Sequence, residues 1–446
     1  MVKNAIISGF NTESESDAIK QLEKESYFNI KEWISNHSKY STIHINDFNY
    51  QNLKYLKTHK YNKEYKKIYD LHFHRFVESV SRSRDVDFSY YEFNNMFNIH
   101  FYYFYELIVK HDIKLLICSN YLHSVDYLLY AIAKDLFGIQ IIIFNQSQFP
   151  NKMWYMDSIE DYGSFEKLKQ LNLNNEIDEE LKNKLELNLF YMKKSFFKKL
   201  KEYCLYKFIF KDLEKIFNKR KNDKFYHFYL KYIKCLKYKK NLAKYSTKEV
   251  DYNAKYVYFP LHLQPELTTS IHGDIHTDQL LAIEKLSSLL PDDFKIYVKE
   301  NPKQTYYQRD DLFFKRLMNI DKVVLVDKSV NTHELAKNSQ FLSTISGTAG
   351  WEAITSAKKV LLFGRAWYQS LPGVFLFDEN FSYEELVKCN FTKEMLQKQY
   401  IKLLSNAFDG IVDTSYLANM KNFSPRQNQK NIHYAISTIL NNNGNN

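Results

Sequence analysis

Glycine is scarce in this chain, ten residues in 446. A residue that rare is placed where backbone freedom or close approach is required, and three of the ten, Gly347, Gly350 and Gly364, fall within one stretch of 24 residues, 341 to 364. Cysteine is scarcer still. Cys118, Cys204, Cys235 and Cys389 are too far apart for a CxxC metal site and too few for a disulfide framework, so they read as structural thiols of a reducing compartment. No run approaches the roughly 20 consecutive apolar residues of a membrane span. The opening MVKNAIISGFNTESES has too short an apolar run for a signal peptide, which sets the expectation of a cytoplasmic protein. What is present in quantity is apolar material, 45% of the residues. At this length that fills two cores and excludes a disordered chain.

The stretch FLSTISGTAGWEAITSAKKVLLFG (341 to 364) breaks an apolar run at a glycine turn, restarts as a helix and returns as a second apolar run. It reads as strand, turn, helix, strand. A helix beginning at such a turn points unpaired N–H groups and partial positive charge at whatever lies above it, and phosphate is the usual occupant. A small turn in any βαβ unit explains the segment equally well, because it is not a full dinucleotide fingerprint.

The net charge is +10, unevenly spread. From Lys193 to Lys248 there are 19 Lys and Arg against 4 acids, a net of +15, so the remainder of the chain sums to −5. That segment interleaves Phe, Tyr, Leu and Ile with Lys at spacings of three and four, the period of amphipathic helices. A solvated face of a helical insertion, a surface drawn to anionic lipid headgroups and a nucleic-acid patch all fit the pattern. The aromatics favour lipid over nucleic acid, for which no recognition module accompanies the charge.

Four regions follow from the pattern. Residues 1–165 carry NAIISGF, IKLLICSN and, after a helix closed by Gly138, a strand from Ile139 to Phe144, which predicts a doubly wound α/β unit. Residues 166–250 are Lys, Asn and Glu rich with little Gly or Pro, and predict a helical linker or insertion. Residues 251–385 repeat the alternation with YVYFPL, FKIYVKENP, KVVLVD, FLSTIS and VLLFG, five strands separated by short helices and hence a parallel sheet. Residues 386–446 predict helices ending in a disordered polar tail, NNNGNN. Two such α/β units facing each other put the carboxyl ends of both sheets around one cleft. FPLHLQPELTTS (259 to 270), VKENP (298 to 302) and ISGTAGWE (345 to 352) each follow a strand directly and would meet there.

In this order and at these distances, YVYFPLHLQPELTTS, DQLLAIEKLSSLLPDDFKIYVKENP, HELAKNSQFLSTISGTAGWEA and VLLFG resemble the capsule polysaccharide biosynthesis proteins. These include Kdo and related nonulosonate transferases of the GT-B fold. The resemblance covers about 250 to 380 well; in the first 165 residues it rests on NYLHSVDYLLYAIAKDLFGIQIIIFNQS and SIEDYG. It implies a GT-B-like α/β protein, two Rossmann-like domains with a helical basic insertion between them. It further implies that Ser346, Gly347, Thr348 and Gly350 bind the nucleotide phosphate, with Glu352 near the ribose or base. The family's Lys-Glu-His-Pro is here Lys299, Glu300, Asn301 and Pro302; asparagine still donates a hydrogen bond but cannot carry a proton. His262, Gln264 and Glu266 would face the donor sugar, His262 partly standing in for the missing histidine.

Sugar transfer requires a stabilised leaving phosphate, a bound ring and a carboxylate acting as base or nucleophile, and helix N-termini with Lys299 can supply the first. Glu160 and Asp161 of SIEDYG are the first choice for the carboxylate, with Glu266 and Asp126 behind them. His123 and Asp126 are candidates for the acceptor side. His272, Asp274, His276 and Asp278 alternate like metal ligands, yet the surroundings do not read as a strand and Asp278 reads as a helix cap; no metal and no other cofactor is expected. The resulting expectation is a cytoplasmic glycosyltransferase. It would move an acidic sugar such as Kdo or another nonulosonate from a CMP donor onto a surface glycan or its lipid carrier, with 193–248 peripheral to the anionic inner membrane. A CDP-polyol phosphotransferase and a non-catalytic capsule assembly subunit stay open.

Overall fold

The computed structural model describes residues 2–35, 38–43, 63–81, 88–119, 121–177, 179–182, 223–419 and 423–443. They form two six-stranded sheets. The first contains β1 (Lys3–Ser8), β2 (Phe28–Ile34), β3 (Ile113–Cys118), β4 (Gln140–Gln146), β5 (Lys152–Met156) and, from far along the chain, β12 (Phe408–Asp409), in the order β12-β5-β4-β3-β1-β2. The strands β2, β1, β3 and β4 are mutually parallel, and β5 and β12 add an antiparallel edge. The second sheet contains β6 (Tyr256–Pro260), β7 (Lys295–Lys299), β8 (Val323–Val326), β9 (Phe341–Thr344), β10 (Val360–Leu362) and β11 (Val374–Leu376), in the order β11-β10-β9-β6-β7-β8, parallel throughout. Five of these six are the runs read from the sequence. The sixth, β11, is three half-buried residues at the edge.

The central strands are apolar without interruption because helices cover both faces of a parallel sheet: Tyr256 to Phe259, Ile296 to Val298 and Phe341 to Thr344 are all buried. In each sheet the chain winds first one way and then the other. It leaves β1 for β2 before crossing to β3, and leaves β6 for β7 and β8 before crossing to β9. The loops after β1 and β3, and after β6 and β9, therefore diverge and open a crevice at the carboxyl ends of the strands, where ligands bind in this architecture. As expected, Gly138 ends the helix Ser124–Asp135 region with a left-handed φ of +58° and β4 follows at once.

Aromatic side chains weld the halves together. Phe149 lies 5.2 Å from Trp367, 6.1 Å from Trp351 and 5.2 Å from Tyr400, ring centre to ring centre, and Trp351 and Trp367 are 4.5 Å apart. A Cβ on Gly163, whose φ is +91°, would sit 2.1 Å from the Ala366 carbonyl oxygen, so this contact between the halves demands glycine.

The final stretch returns to the first sheet. The helix Pro425–Asn443 begins with proline behind a Ser424 hydroxyl that accepts from the Gln427 N–H at 3.3 Å, a favourable start. Its buried Ile432, Ala435, Ile436 and Ile439 join one core with Ala18, Ile19 and Leu22 of the helix Glu13–Lys24. His433 bonds Glu25 at 2.7 Å, and Val412 N–H donates to Gln146 Oε1 at 2.9 Å. Asn441 to Asn443, expected in the tail, end this helix; 444–446 lie outside the described residues. So do 193–222 of the basic segment, and Cys204 with them. The helix Asp223–Tyr245 is described. Tyr238 and Tyr245 pack on Phe314, while Lys234, Lys237, Lys239, Lys240 and Lys244 are exposed, an amphipathic division as the spacing predicts.

Candidate functional site

The crevice of the second sheet is built around His262, two residues past β6. Its buried ring lies under the glycine turn, with Nε2 2.9 Å from Thr344 Oγ1 and Nδ1 3.0 Å from Thr269 Oγ1. The Ser346 N–H donates to Nε2 at 3.3 Å, so that nitrogen carries no proton and Nδ1–H donates to Thr269. The Thr269 hydroxyl in turn donates to Glu266 Oε2 at 2.9 Å. One relay thus connects Glu266, Thr269, His262 and the turn.

The glycines of the turn are required by proximity rather than by left-handed backbone. Gly347 has an ordinary φ of −76°, but a Cβ there would meet Thr344 Oγ1 and the His262 ring at 3.0 to 3.1 Å. A Cβ on Gly350 would sit 2.1 Å from the buried Tyr368 hydroxyl, which donates to the Gly347 carbonyl at 2.5 Å. The helix Thr348–Thr355 that follows has no side-chain cap and no acid in its first turn, and Ser346 Oγ beside it is buried without a hydrogen-bond partner among the described residues. Backbone donors, a positive helix end and an orphaned hydroxyl suit an anionic oxygen. Glu352 lies one turn along; desolvation pushes its carboxyl up and His333 draws it back.

The loop after β7 is a scaffold. Glu300 and Arg309 form a fully buried ion pair at 2.7 Å. Arg309 also donates to Gln264 Oε1 at 2.9 Å and to the His262 carbonyl at 3.3 Å, while Gln264 Nε2 donates to the Thr277 carbonyl at 2.6 Å. Gln264, anticipated at the sugar, is thereby committed to holding two loops in register. Lys299, anticipated at the leaving phosphate, is buried and donates to the Val330 carbonyl at 2.5 Å and to Thr332 Oγ1 at 2.8 Å; burial lowers its affinity for a proton. Asn301 Oδ1 accepts from Lys303 N–H at 3.0 Å, a turn closed by its own short side chain, with Pro302 exposed beside it.

On the first half, adjacent acids have different employment. Glu160 pairs with Lys134 at 2.5 Å and accepts from the Tyr130 hydroxyl at 3.1 Å. Partial burial works against its charge, but Lys134 outweighs it and holds the carboxyl down at about 2. Asp161 accepts from the N–H of Glu166 at 2.7 Å, from that of Lys167 at 3.3 Å and from Ser164 Oγ at 2.9 Å, so both its oxygens cap the short helix Glu166–Gln170. Asp126 is buried beneath the end of β1, accepting from Ser8 Oγ, and burial pushes it up to about 7. His123 sits exposed at the start of the helix Ser124–Asp135 without capping it. Asp278 accepts from Leu280 N–H at 3.1 Å, the helix cap read from the sequence. His276 instead points to the Phe363 carbonyl, with Nδ1 at 2.7 Å.

The sequence reading missed the wall supplied by the helix Lys63–Ser81. Arg75 pairs with Asp274 at 3.2 Å across the halves, and Glu78 bonds Gln308, its carboxyl pushed up by burial. Arginine is rare in this lysine-rich chain, eight of 62 basic residues, and Arg75, Arg309 and Arg365 all stand beside or behind the crevice. That rarity was the available signal.

Two doubly wound sheets set crevice to crevice, one with an uncapped helix at its switch point, define a GT-B-like α/β protein. The family model described as capsule polysaccharide biosynthesis protein matches residues 178–406, just over half of the chain, and the chain belongs to that family. No curated protein matches it. Among solved structures it is similar to the KpsC β-Kdo 2,4 transferase of Thermosulfurimonas dismutans, at 11% identity over 68% of this chain and 85% of that one, TM-score 0.31. The KpsC β-Kdo 2,7 transferase of the same organism is 8% identical over 84% and 97%, TM-score 0.32. A UDP-GlcNAc 2-epimerase from Methanocaldococcus jannaschii, in complex with UDP-GlcNAc and UDP, is 11% identical over 98% and 100%, TM-score 0.25.

Proposed function

We propose that this protein is a glycosyltransferase of capsule synthesis that moves an acidic sugar from a CMP donor onto a surface polysaccharide or its lipid-linked precursor. The observation that carries the reading is the uncapped helix at Gly347 with the orphaned Ser346 hydroxyl beside it, in a member of the capsule family. The departing phosphate is held by the turn's N–H groups and helix dipole, aimed in advance by His262 and Tyr368 beneath them. An acceptor hydroxyl oxygen attacks the anomeric carbon, the bond to the phosphate oxygen breaks and its electron pair leaves with CMP. The acceptor proton passes to Glu266, partly exposed and backed by Thr269 and His262. Glu160, held at about 2 by Lys134, is a weak base whose charge that lysine already meets, which leaves Glu266 as the proposed base.

The basic segment would keep the protein at an anionic leaflet. Among the described residues no helix is long and apolar enough to cross a membrane, so attraction of the exposed lysines between Lys234 and Lys244 is the mode proposed. Vesicles with anionic lipid should retain the protein at low salt and release it at high salt; no retention at low salt removes this part. The donor is tested by thermal shift against CMP, CDP, UDP, GDP and ADP, since a ligand of the native state raises the midpoint. A selective rise with CMP supports the reading. Selectivity for CDP points to a polyol phosphotransferase, for UDP or GDP to a neutral-sugar donor, and no shift to a non-catalytic subunit.

A further inference from the structure

His272 occupies an unusual place. It lies on the second half, yet its buried ring is stacked on Tyr162 of the first, 4.2 Å between centres and nearly parallel, and its Nε2 is 2.8 Å from the Tyr121 hydroxyl. Tyr121 also accepts from Asn145 Nδ2 at 3.2 Å, so the phenol proton is directed to His272 Nε2. Burial, then Arg365 and Arg75, hold the imidazole neutral. A neutral ring that accepts at Nε2 carries its proton on Nδ1, and Nδ1 is buried without a partner among the described residues. An orphaned buried donor is costly unless a ligand acceptor meets it.

Arg365 stands at the same place. The Gly364 N–H donates to the Ile345 carbonyl at 2.9 Å and the Arg365 N–H to the His272 carbonyl at 3.0 Å. Arg365 is thus one residue beyond the rung that ties β10 to β9, and Ser346 of the phosphate-suited turn is one residue beyond it on the neighbouring strand. A Cβ on Gly364 would lie 2.7 Å from the His272 carbonyl oxygen, so turn, arginine and histidine are pressed together. Arg75 is occupied by Asp274. Arg365 is half-buried and its side chain has no ion pair or hydrogen bond among the described residues. A fork of donors near enough for its charge to act on the His272 ring, with no carboxylate among the described residues to neutralise it, matches a planar carboxylate.

We infer that the junction of the two halves is a carboxylate subsite, in which Arg365 and the His272 Nδ1–H take the acid group of the sugar while its phosphate lies on the turn at Ser346 to Gly350. The inference rests on the transferase reading and adds the group that separates an acidic sugar from a neutral one. Arg365→Gln is the first variant. The backbone bond to His272 is retained and no side-chain hydrogen bond or ion pair among the described residues is lost, so the thermal midpoint should match wild type.

The probes are CMP, a CMP-activated 3-deoxy-2-keto acid sugar and the free acid sugar, titrated calorimetrically or by ligand-observed NMR into both proteins. Expected is a loss of about tenfold to a hundredfold for the two acidic probes, with CMP affinity unchanged and Arg365→Lys intermediate. Equal loss for CMP places Arg365 on the phosphate and overturns the subsite; so does no change for any probe. If wild type binds neither CMP nor its sugar, the donor reading falls separately. The free acid then decides: binding to wild type and not to Arg365→Gln keeps the subsite, and binding to neither removes it.

Discussion

The two sheets share a winding plan and part company where it meets solvent. After β1 the chain turns through Gly9 and Phe10, both with positive φ, into a helix whose first turn is closed by its own residues. Thr12 accepts from Glu15 N–H at 3.3 Å and Glu15 accepts from Thr12 N–H at 3.1 Å, with Glu13 adding a second acid. After β9 the turn is uncapped and free of acids. A helix end already satisfied and already negative has nothing to offer an anion. Of the two turns, the one after β9 is therefore the one open to an anion, which is why the proposed donor site is put on the second half.

The largest test bears on how the open turn is held in place. Arg309→Met leaves Glu300 buried without a counter-charge and should cost about 3–5 kcal/mol, read by denaturant unfolding. Adding Glu300→Gln should return part of the loss, and equal stability of the single variant and wild type would remove the clamp. The first half has a pH signature of comparable size. Asp126 titrates near 7 in the folded state, above its unfolded value, so the folded protein holds the extra proton. The associated stability is complete below about pH 4 and falls away as pH rises through 7, by up to about 4 kcal/mol. Asp126→Asn should flatten that slope; an unchanged profile contradicts it.

Gly350→Ala drives a methyl group into the Tyr368 hydroxyl and should weaken CMP binding by roughly tenfold to a hundredfold, partly restored by Tyr368→Phe. Wild-type affinity in Gly350→Ala would mean that the turn is not the phosphate site. The smallest effect sharpens the contrast: Thr12→Ala should cost about 1 kcal/mol and leave nucleotide affinity alone, since that helix end takes no ligand.

Much of the architecture was legible because buried parallel strands are written as unbroken apolar runs. The exceptions are β5, a buried five-residue run that the sequence reading passed over, and the edges. The strand β2 carries Lys31 and Glu32 on a half-wet surface, β11 has three residues and β12 two, all too short or too polar to announce themselves. The glycine turn was legible because glycine is rare, and His262 because it follows a strand. Its work was not, since Thr344 and Ser346, which define it, lie 82 and 84 residues away. Lys299 and Gln264 were read toward the donor from their position at strand ends. Their partners, Val330, Thr332 and Arg309, are set by tertiary contacts with no local signature. His272 and Arg365 escaped for the same reason, being joined by a backbone bond across 93 residues of chain.

The helix Pro425–Asn443 has a consequence for how the molecule is made. The first half needs the last helix of the chain to cover Ala18, Ile19 and Leu22, whereas the second sheet is contiguous, from β6 to β11. Emerging from the ribosome, where completed units fold as they appear, the later half can close first. The earlier one waits, its apolar helix face uncovered, until the helix Pro425–Asn443 has been made. A nascent chain stalled before residue 425 should then present a finished second half tethered to an unfinished first one.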